Sequence, residues 1–203
     1  EMVHRSALAL KLLTSRKHGG IIAAATYGLP EAAGGERNWD YRYTWIRDAS
    51  FTVYAFMRLG FSEEANAFMR WVRDRVDDCS ETPAHLRILY SLRGQHHLPE
   101  SSLDHLAGHG GAKPVRIGNE AHEQTQLDIF GELLDAVYLA NKYGEAISHD
   151  GWKHVVGIVD QVCDSWRQKD VGIWEIRGEE QHFLHSRLCL LYTSPSPRDL
   201  STS

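Results

Sequence analysis

The stretch RNWDYRYTWIRDAS, residues 37–50, places aromatic and charged side chains in near alternation. Its aromatic residues are Trp39, Tyr41, Tyr43 and Trp45, and its charged residues are Arg37, Asp40, Arg42, Arg47 and Asp48. If this stretch lay in a hydrophobic core, it would bury an unusual number of charges. If it lay on an ordinary surface, it would expose an unusual amount of aromatic area. The mixture favours a pocket for a polar ligand with apolar faces, such as a sugar. A helix N-terminus with core aromatics and Asp48 in its first turn is the alternative, and the residues alone leave both open.

Apolar residues recur at helical spacing on both sides of this stretch. The periodicity predicts helices over residues 3–13, 45–59, 62–76, 119–143, 150–169 and 179–191. On the fifth of these, one apolar face would hold Trp152, Val155, Val159, Val162 and Trp166. Long irregular loops are expected between residues 83 and 114, and no segment alternates convincingly as a strand. The sequence therefore predicts an all-α protein of helical hairpins packed side by side.

Polar residues also recur along the predicted helix 119–143, at Gln124, Asp128, Glu132 and Asp135. Their spacing puts them on one helix face. A solvated face is one interpretation, and a polar lining at the end of a helical ring is the other. Periodicity alone does not decide between them.

Three stretches together resemble glycoside hydrolase family 15, the family of glucoamylases and bacterial trehalase-like enzymes. They are RNWDYRYTWIRDA, IGNEAHEQTQLDIFGELLDAVYLA and GIWEIRGEEQHF, which begin at residues 37, 117 and 172 and follow the family's order. The resemblance runs over about residues 3–190 and covers only the front part of such a catalytic domain. It implies the front half of an (α/α)6 toroid of helical hairpins. We therefore predict a catalytic-domain fragment over residues 1–192, followed by a non-native or disordered Ser/Pro-rich tail over residues 193–203.

Glu175 is the candidate general acid. It lies between Trp174 and Ile176 in a glycine-bounded loop, where an apolar neighbourhood would raise its pKa. A surface glutamate paired with Arg177 is the alternative that the residues alone leave open. The resemblance implies that the glutamate after the tryptophan of this motif protonates the leaving oxygen, and Glu175 matches that position.

The resemblance also implies the substrate-binding residues. Arg47 and Asp48 match the pair that holds the terminal glucose, Trp45 and Trp174 would wall its subsite, and Arg177 would bond a hydroxyl. Because these motifs must serve one sugar, we expect their side chains to face one cavity. The family's general base comes from a later part of the domain, and no acid after Glu175 has a matching context here. We therefore expect the general base to lie outside this chain, and the chain by itself to be inactive.

Composition argues against other classes of partner. A net charge of −5 gives no basic footprint for nucleic acid, and no apolar run reaches the ~18 residues of a membrane helix. The three cysteines form no Cys-x-x-Cys pair and are expected to be reduced. His105 and His109 have the spacing of a metal pair on a helix, but the glycines around them argue against a helix there. His96 with His97, and His182 with His185, lack carboxylates at ligand spacing, so we predict no metal site. No cofactor motif is present. No signal peptide is apparent, so a cytoplasmic location is expected, and no pattern sets an oligomeric state.

The expected function is that of an inverting α-glucosidase that hydrolyses terminal α-linked glucose by general acid/base catalysis. Trehalose and α-1,4-glucans share that terminal glucose, so the motifs leave the substrate open between them. A non-catalytic carbohydrate-binding or regulatory protein on the same scaffold is the alternative. A helical-repeat interaction protein is disfavoured, because the chain lacks a self-similar period of ~30–45 residues.

Overall fold

The computed structural model describes residues 1–25, 29–78 and 86–193. Within these ranges the α-helices are Met2–Leu13 (α1), Ile46–Leu59 (α2), Ser62–Asp78 (α3), Asp128–Tyr143 (α4), His149–Ser165 (α5) and Leu184–Thr193 (α6). Thr44–Trp45 (β1) pairs antiparallel with Leu89–Tyr90 (β2), and Ser101–Ser102 (β3) pairs antiparallel with Arg116–Ile117 (β4). Short 3-10 turns span His109–Gly111 and Glu120–Glu123. The predicted all-α class is confirmed, because most of the regular structure in these ranges is helical and each strand is only two residues long. Cys79 lies outside the described residues, and so does the predicted tail from residue 194 onward.

The central helix of the core is α4, which packs mainly against α2 and α6. It buries residues on nearly every side, including Ile129, Phe130, Leu133 and Leu134. The facing stripe of α2 is Ile46, Ala49, Val53 and Phe56, at the spacing of one helix face. The N-terminal ends of α2 and α4 therefore have fixed positions relative to each other, and both contribute to the site described below.

The predicted helix 119–143 is wrong at its start, because α4 begins at Asp128. Asn119 instead caps the 3-10 turn Glu120–Glu123, and its side chain accepts a hydrogen bond from the amide of Ala121 at 3.0 Å. The amide of Leu127 then donates to Oδ2 of Asp170 at 3.1 Å. Because this backbone group bonds a distant loop instead of the preceding turn, the helix does not continue backwards through it.

The polar row on α4 is not a solvated face. Asp128 is fully buried and Glu132 and Asp135 are partly buried, while Gln124 lies before the helix. Burial raises the pKa of the Glu132 and Asp135 carboxyls. Oε1 of Glu132 accepts a hydrogen bond from the thiol of Cys189 on α6 at 3.2 Å, so this face meets a neighbouring helix.

The apolar face predicted for the fifth helix is only partly buried. Val162 is in the core and Val155 and Val159 pack against it, but Trp152 and Trp166 are 57% and 41% exposed. The helix also ends at Ser165 instead of residue 169, because the chain then extends to form an antiparallel bridge between Asp170 and Gln181. Among the described residues, no helix combines the length and apolar character needed to cross a bilayer.

Candidate active site

A cavity of about 320 Å³ opens where β1, the start of α2, the 3-10 turn Glu120–Glu123 and the loop after α5 meet. All six site residues predicted from the sequence line it, namely Trp45, Arg47, Asp48, Trp174, Glu175 and Arg177. Its other walls include Glu31, Trp39, Tyr41, Asn119 and Gln124. A volume of this size is within the range of small-molecule sites. The structure thus brings together residues from three separate motifs, while the role of each remains a prediction.

The loop that carries Glu175 is closed on itself. The backbone groups of Asp170 and Gln181 exchange two hydrogen bonds of 2.9 and 2.8 Å. The carboxylate of Asp170 is buried and accepts from the hydroxyl of Ser186 at 2.6 Å, in addition to the amide of Leu127. One buried carboxylate therefore fixes this loop to the start of α4 and to α6.

The backbone of Glu175 is strained. Its φ is +51°, in the left-handed region that side chains with a Cβ rarely adopt. Such a conformation costs roughly 1–2 kcal/mol for a residue other than glycine. The amide of Glu175 donates to the carbonyl of Gly172 at 3.2 Å, which closes a tight turn just before it. Strain at a single residue is typical of functional sites, where the surrounding fold holds a side chain in a set direction.

The carboxyl group of Glu175 is held by two donors and one nearby cation. Its Oε1 accepts from Nε1 of Trp45 at 2.6 Å and from Nε2 of Gln126 at 3.2 Å, and lies 3.8 Å from Nη2 of Arg47. Burial raises its pKa, the contacts with Gln126, Trp45 and Arg47 lower it, and the charge of Asp48 raises it. The net effect is a raised pKa, so the carboxyl group keeps its proton to a higher pH than an exposed glutamate.

Arg47 connects the start of α2 to the start of α4. Its Nη1 donates to Oε1 of Gln126 at 2.6 Å and to Oδ2 of Asp128 at 3.0 Å, and its side chain is almost completely buried. Nε of Arg47 lies 3.4 Å from Oδ2 of Asp48, whose side chain is more than half exposed. The Nη1 end of the guanidinium therefore bonds side chains of the protein interior. The carboxylate of Asp48 is open to a ligand in the cavity.

Arg177 belongs to a charged network at the rim. Its Nη2 lies 2.7 Å from Oε2 of Glu100, its Nη1 lies 2.9 Å from Oε2 of Glu120, and its guanidinium covers the ring of Trp39 at 4.4 Å. Arg116 covers the same indole at 4.6 Å and also pairs with Glu100. This arrangement differs from the alternative in which Arg177 neutralises Glu175.

Trp174 is the most exposed of the predicted site residues. Its side chain is 83% exposed and lines the cavity beside Glu175. An indole in this position has one free face for a ligand, which is the arrangement expected of a sugar-stacking residue.

Sequence reasoning missed Gln126. This side chain is 1% exposed and bridges Arg47 to Glu175, with its oxygen toward the cation and its amide nitrogen toward the carboxyl group. Its position within the second motif was the only available signal, because its partners lie far away in the sequence.

Comparisons with known proteins show which family and fold the chain shares. The chain matches the model of glycosyl hydrolases family 15 over residues 1–194. It is 43% identical over 187 residues to a trehalase of Mycobacterium tuberculosis, covering 92% of this chain and 27% of that protein. It is 38% identical over 187 residues to a trehalase of Thermoplasma acidophilum, covering 92% and 31% respectively. The chain thus spans less than a third of the length of these curated relatives.

Solved structures give the same fold. A glycosidase variant in complex with glucose superposes with a TM-score of 0.60 at 18% identity, covering 98% of this chain and 52% of that chain. The wild-type glycosidase superposes with a TM-score of 0.59 over the same shares. These similarities place the six helices within a partial all-α toroid, as predicted. With the three motifs gathered around one cavity and the family match running through all of them, the chain belongs to glycosyl hydrolase family 15.

Proposed function

We propose that this chain supplies the general acid and the terminal-glucose subsite of a trehalase-type glycoside hydrolase. The observation that carries the proposal is the carboxyl group of Glu175, which is held in the cavity by Trp45 and Gln126 and has a pKa raised by burial. A general acid must keep its proton at working pH, and this environment favours the protonated form. The relatives named trehalase support the substrate class.

The proposed reaction begins with proton donation from Glu175 to the glycosidic oxygen. The bond between that oxygen and the anomeric carbon breaks, and the charge that develops on the sugar is oxocarbenium-like. A water molecule, deprotonated by a general base, attacks the anomeric carbon from the opposite face, which inverts its configuration. We place the general base outside this chain, so that the chain by itself has no turnover.

The side chains around Glu175 have separate proposed tasks. The carboxylate of Asp48 accepts hydrogen bonds from glucose hydroxyls, since it is the exposed member of its pair with Arg47. Trp45 is 4% exposed and its Nε1 donates to Glu175, so its proposed task is to form the cavity wall and to hold that carboxyl group. Trp174 stacks from the exposed side, and Arg177 reaches a hydroxyl from the rim.

The test is glucose release by the complete protein that contains this chain, assayed with trehalose and maltose in parallel. We expect trehalose to be hydrolysed faster, with one product released as the inverted anomer, visible by NMR early in the reaction. Glu175→Gln should lower kcat by about 10²-fold or more, the usual contribution of general acid catalysis. The matched control is Glu180→Gln, an exposed carboxylate on the same loop.

Three results would contradict the proposal. Retained activity in Glu175→Gln would place the acid elsewhere. Glucose release by residues 1–203 alone would place a general base within this chain. Trehalose binding without hydrolysis by the complete protein would favour the carbohydrate-binding alternative. The domain division at residue 192 and the cytoplasmic location stay predictions.

A further inference from the structure

His97 lies close to two consecutive residues of the 3-10 turn Glu120–Glu123, namely His122 and Glu123. Ligand atoms of His97, His122 and Glu123 all lie within 4.8 Å of one another. His97 and Glu123 are exposed, whereas His122 is buried. The spacing of these residues along the chain gave no sign of the cluster, and the sequence had predicted no metal site.

The imidazole of His122 has the arrangement of a metal ligand. Its Nδ1 lies 2.9 Å from the carbonyl oxygen of Asn119, which can only accept, so Nδ1 carries the hydrogen in this bond. In the neutral ring, Nε2 then presents a lone pair. Within the described ranges Nε2 has no hydrogen-bond partner, although the side chain is only 7% exposed. A buried polar atom without a partner is costly, and a backbone carbonyl on the other ring nitrogen is what orients ligand histidines.

The distances suit a small transition-metal ion. Nε2 of His122 lies 3.5 Å from Oε1 of Glu123, and the ring centroids of His97 and His122 are 5.4 Å apart. Two ligand atoms in a tetrahedral site with bonds of about 2.0–2.1 Å are roughly 3.3–3.4 Å apart. The His122–Glu123 pair is therefore already at ligand separation. His97 is exposed and can rotate its ring to complete the set.

We propose that His97, His122 and Glu123 form a binding site for Zn²⁺. Two imidazoles and one carboxylate are a ligand set that zinc uses, with the fourth position left to water. Oxygen-preferring cations such as Mg²⁺ fit less well, because two of the three ligands are imidazoles.

The site would tie two loops together at the wall of the candidate active site. Asn119 and Ala121, in and beside the same turn, line that cavity. The amide of Asn119 donates to the carbonyl of Leu98 at 3.0 Å, so the loop of His97 already touches the turn of His122. A bound ion would strengthen this contact, and its expected effect is on the stability of the cavity wall.

The experiment is a zinc titration of the untagged complete protein that contains this chain, followed by competition with a chromogenic chelator and by measurement of the thermal unfolding midpoint. We expect one tight zinc per chain and a higher midpoint with zinc. Loss of the His97 ligand in His97→Ala should weaken binding by at least about tenfold, since even indirect supports of a metal ligand contribute that much. Co²⁺ should give the visible absorption of a tetrahedral site.

His97 is exposed, so its replacement is not expected to disturb folding, whereas His122→Ala removes a buried ring and serves only as a second variant. The matched control is His105→Ala, an exposed histidine on another loop, which should bind zinc as tightly as the parent. Equal zinc affinity in the parent and in His97→Ala would overturn the proposal. The proposal would also be overturned if His105→Ala weakened zinc binding as much as His97→Ala does.

Discussion

The ion pair between Arg47 and Asp128 offers the sharpest test of how this site is assembled. Asp128 is 0% exposed, and its Oδ2 lies 3.0 Å from Nη1 of Arg47. The pair joins the first turns of α2 and α4, the two helices that position the cavity. We expect Asp128→Ala to destabilise the chain strongly, because it leaves the buried guanidinium without its fully buried counter-charge.

The magnitude follows from the burial of the pair. Removing one partner of a buried ion pair typically costs about 3–5 kcal/mol, a large part of the ~5–15 kcal/mol that stabilises a domain. For a chain of this length each kcal/mol lowers the melting temperature by roughly 2–4 °C, so the expected decrease is roughly 6–20 °C. The paired variant Arg47→Met with Asp128→Leu should lose less than the sum of the two single changes, because no unpaired charge remains.

The assay is thermal unfolding followed by circular dichroism, with a surface pair as the matched control. Nζ of Lys153 lies 2.9 Å from Oδ1 of Asp150, and both side chains are mostly exposed. Lys153→Ala should cost about 0.5 kcal/mol or less, since water and salt screen an exposed pair. If Asp128→Ala melted within about 2 °C of Lys153→Ala, the buried pair would not be what holds α2 to α4.

If the complete protein has the proposed activity, Trp45→Phe should move the basic limb of its pH–rate profile to higher pH, because it removes a hydrogen bond that favours ionised Glu175. Asp48→Asn should move that limb to lower pH, because it removes a negative charge that raises the pKa of Glu175. If both variants moved the basic limb in the same direction, the proposed role of Glu175 would be contradicted. Because the folded pKa of Glu175 is raised above its ordinary 4.5, the stability it contributes is present below that pH and is lost as pH rises through the folded value. Urea unfolding should therefore show Glu175→Gln gaining stability relative to the parent from acid to neutral pH, and a constant difference would refute this. Burial and the carboxylate of Glu132 raise the pKa of the Cys189 thiol to about 12, so iodoacetamide should modify exposed Cys163 faster than Cys189, as read by mass spectrometry. Equal modification rates for Cys163 and Cys189 would contradict the raised pKa of the Cys189 thiol.

Local signals located most of the helices. Gly60, in the left-handed conformation with a φ of +83°, ends α2 where the sequence predicted, and α3 begins at Ser62 as expected. Motif resemblance located the candidate site, because Arg47, Asp48 and Glu175 do share one cavity. These successes rest on information contained in a short window or in a recognised pattern.

The errors arose where distant residues decide the local structure. Helical spacing continues through residues 119–127, but the amide of Leu127 bonds Asp170, which is 43 residues away in the sequence. Gln126 gains its place from Arg47 and Glu175, at separations of 79 and 49 residues. Trp152 and Trp166 follow a helical stripe, yet the burial of a stripe depends on which neighbours cover it. None of these contacts leaves a periodic trace in the chain.

The closed loop from Asp170 to Gln181 also has a consequence for protein engineering. Because its two ends pair with each other, we expect changes in the loop to leave the helices on either side in place where the contacts of Glu175 and Arg177 are kept. Loops from relatives can therefore be grafted as single cassettes, provided that Asp170 keeps its bonds to Ser186 and Leu127. Such a cassette would carry Glu175, the proposed proton donor, and the adjacent indole of Trp174 as one exchangeable unit.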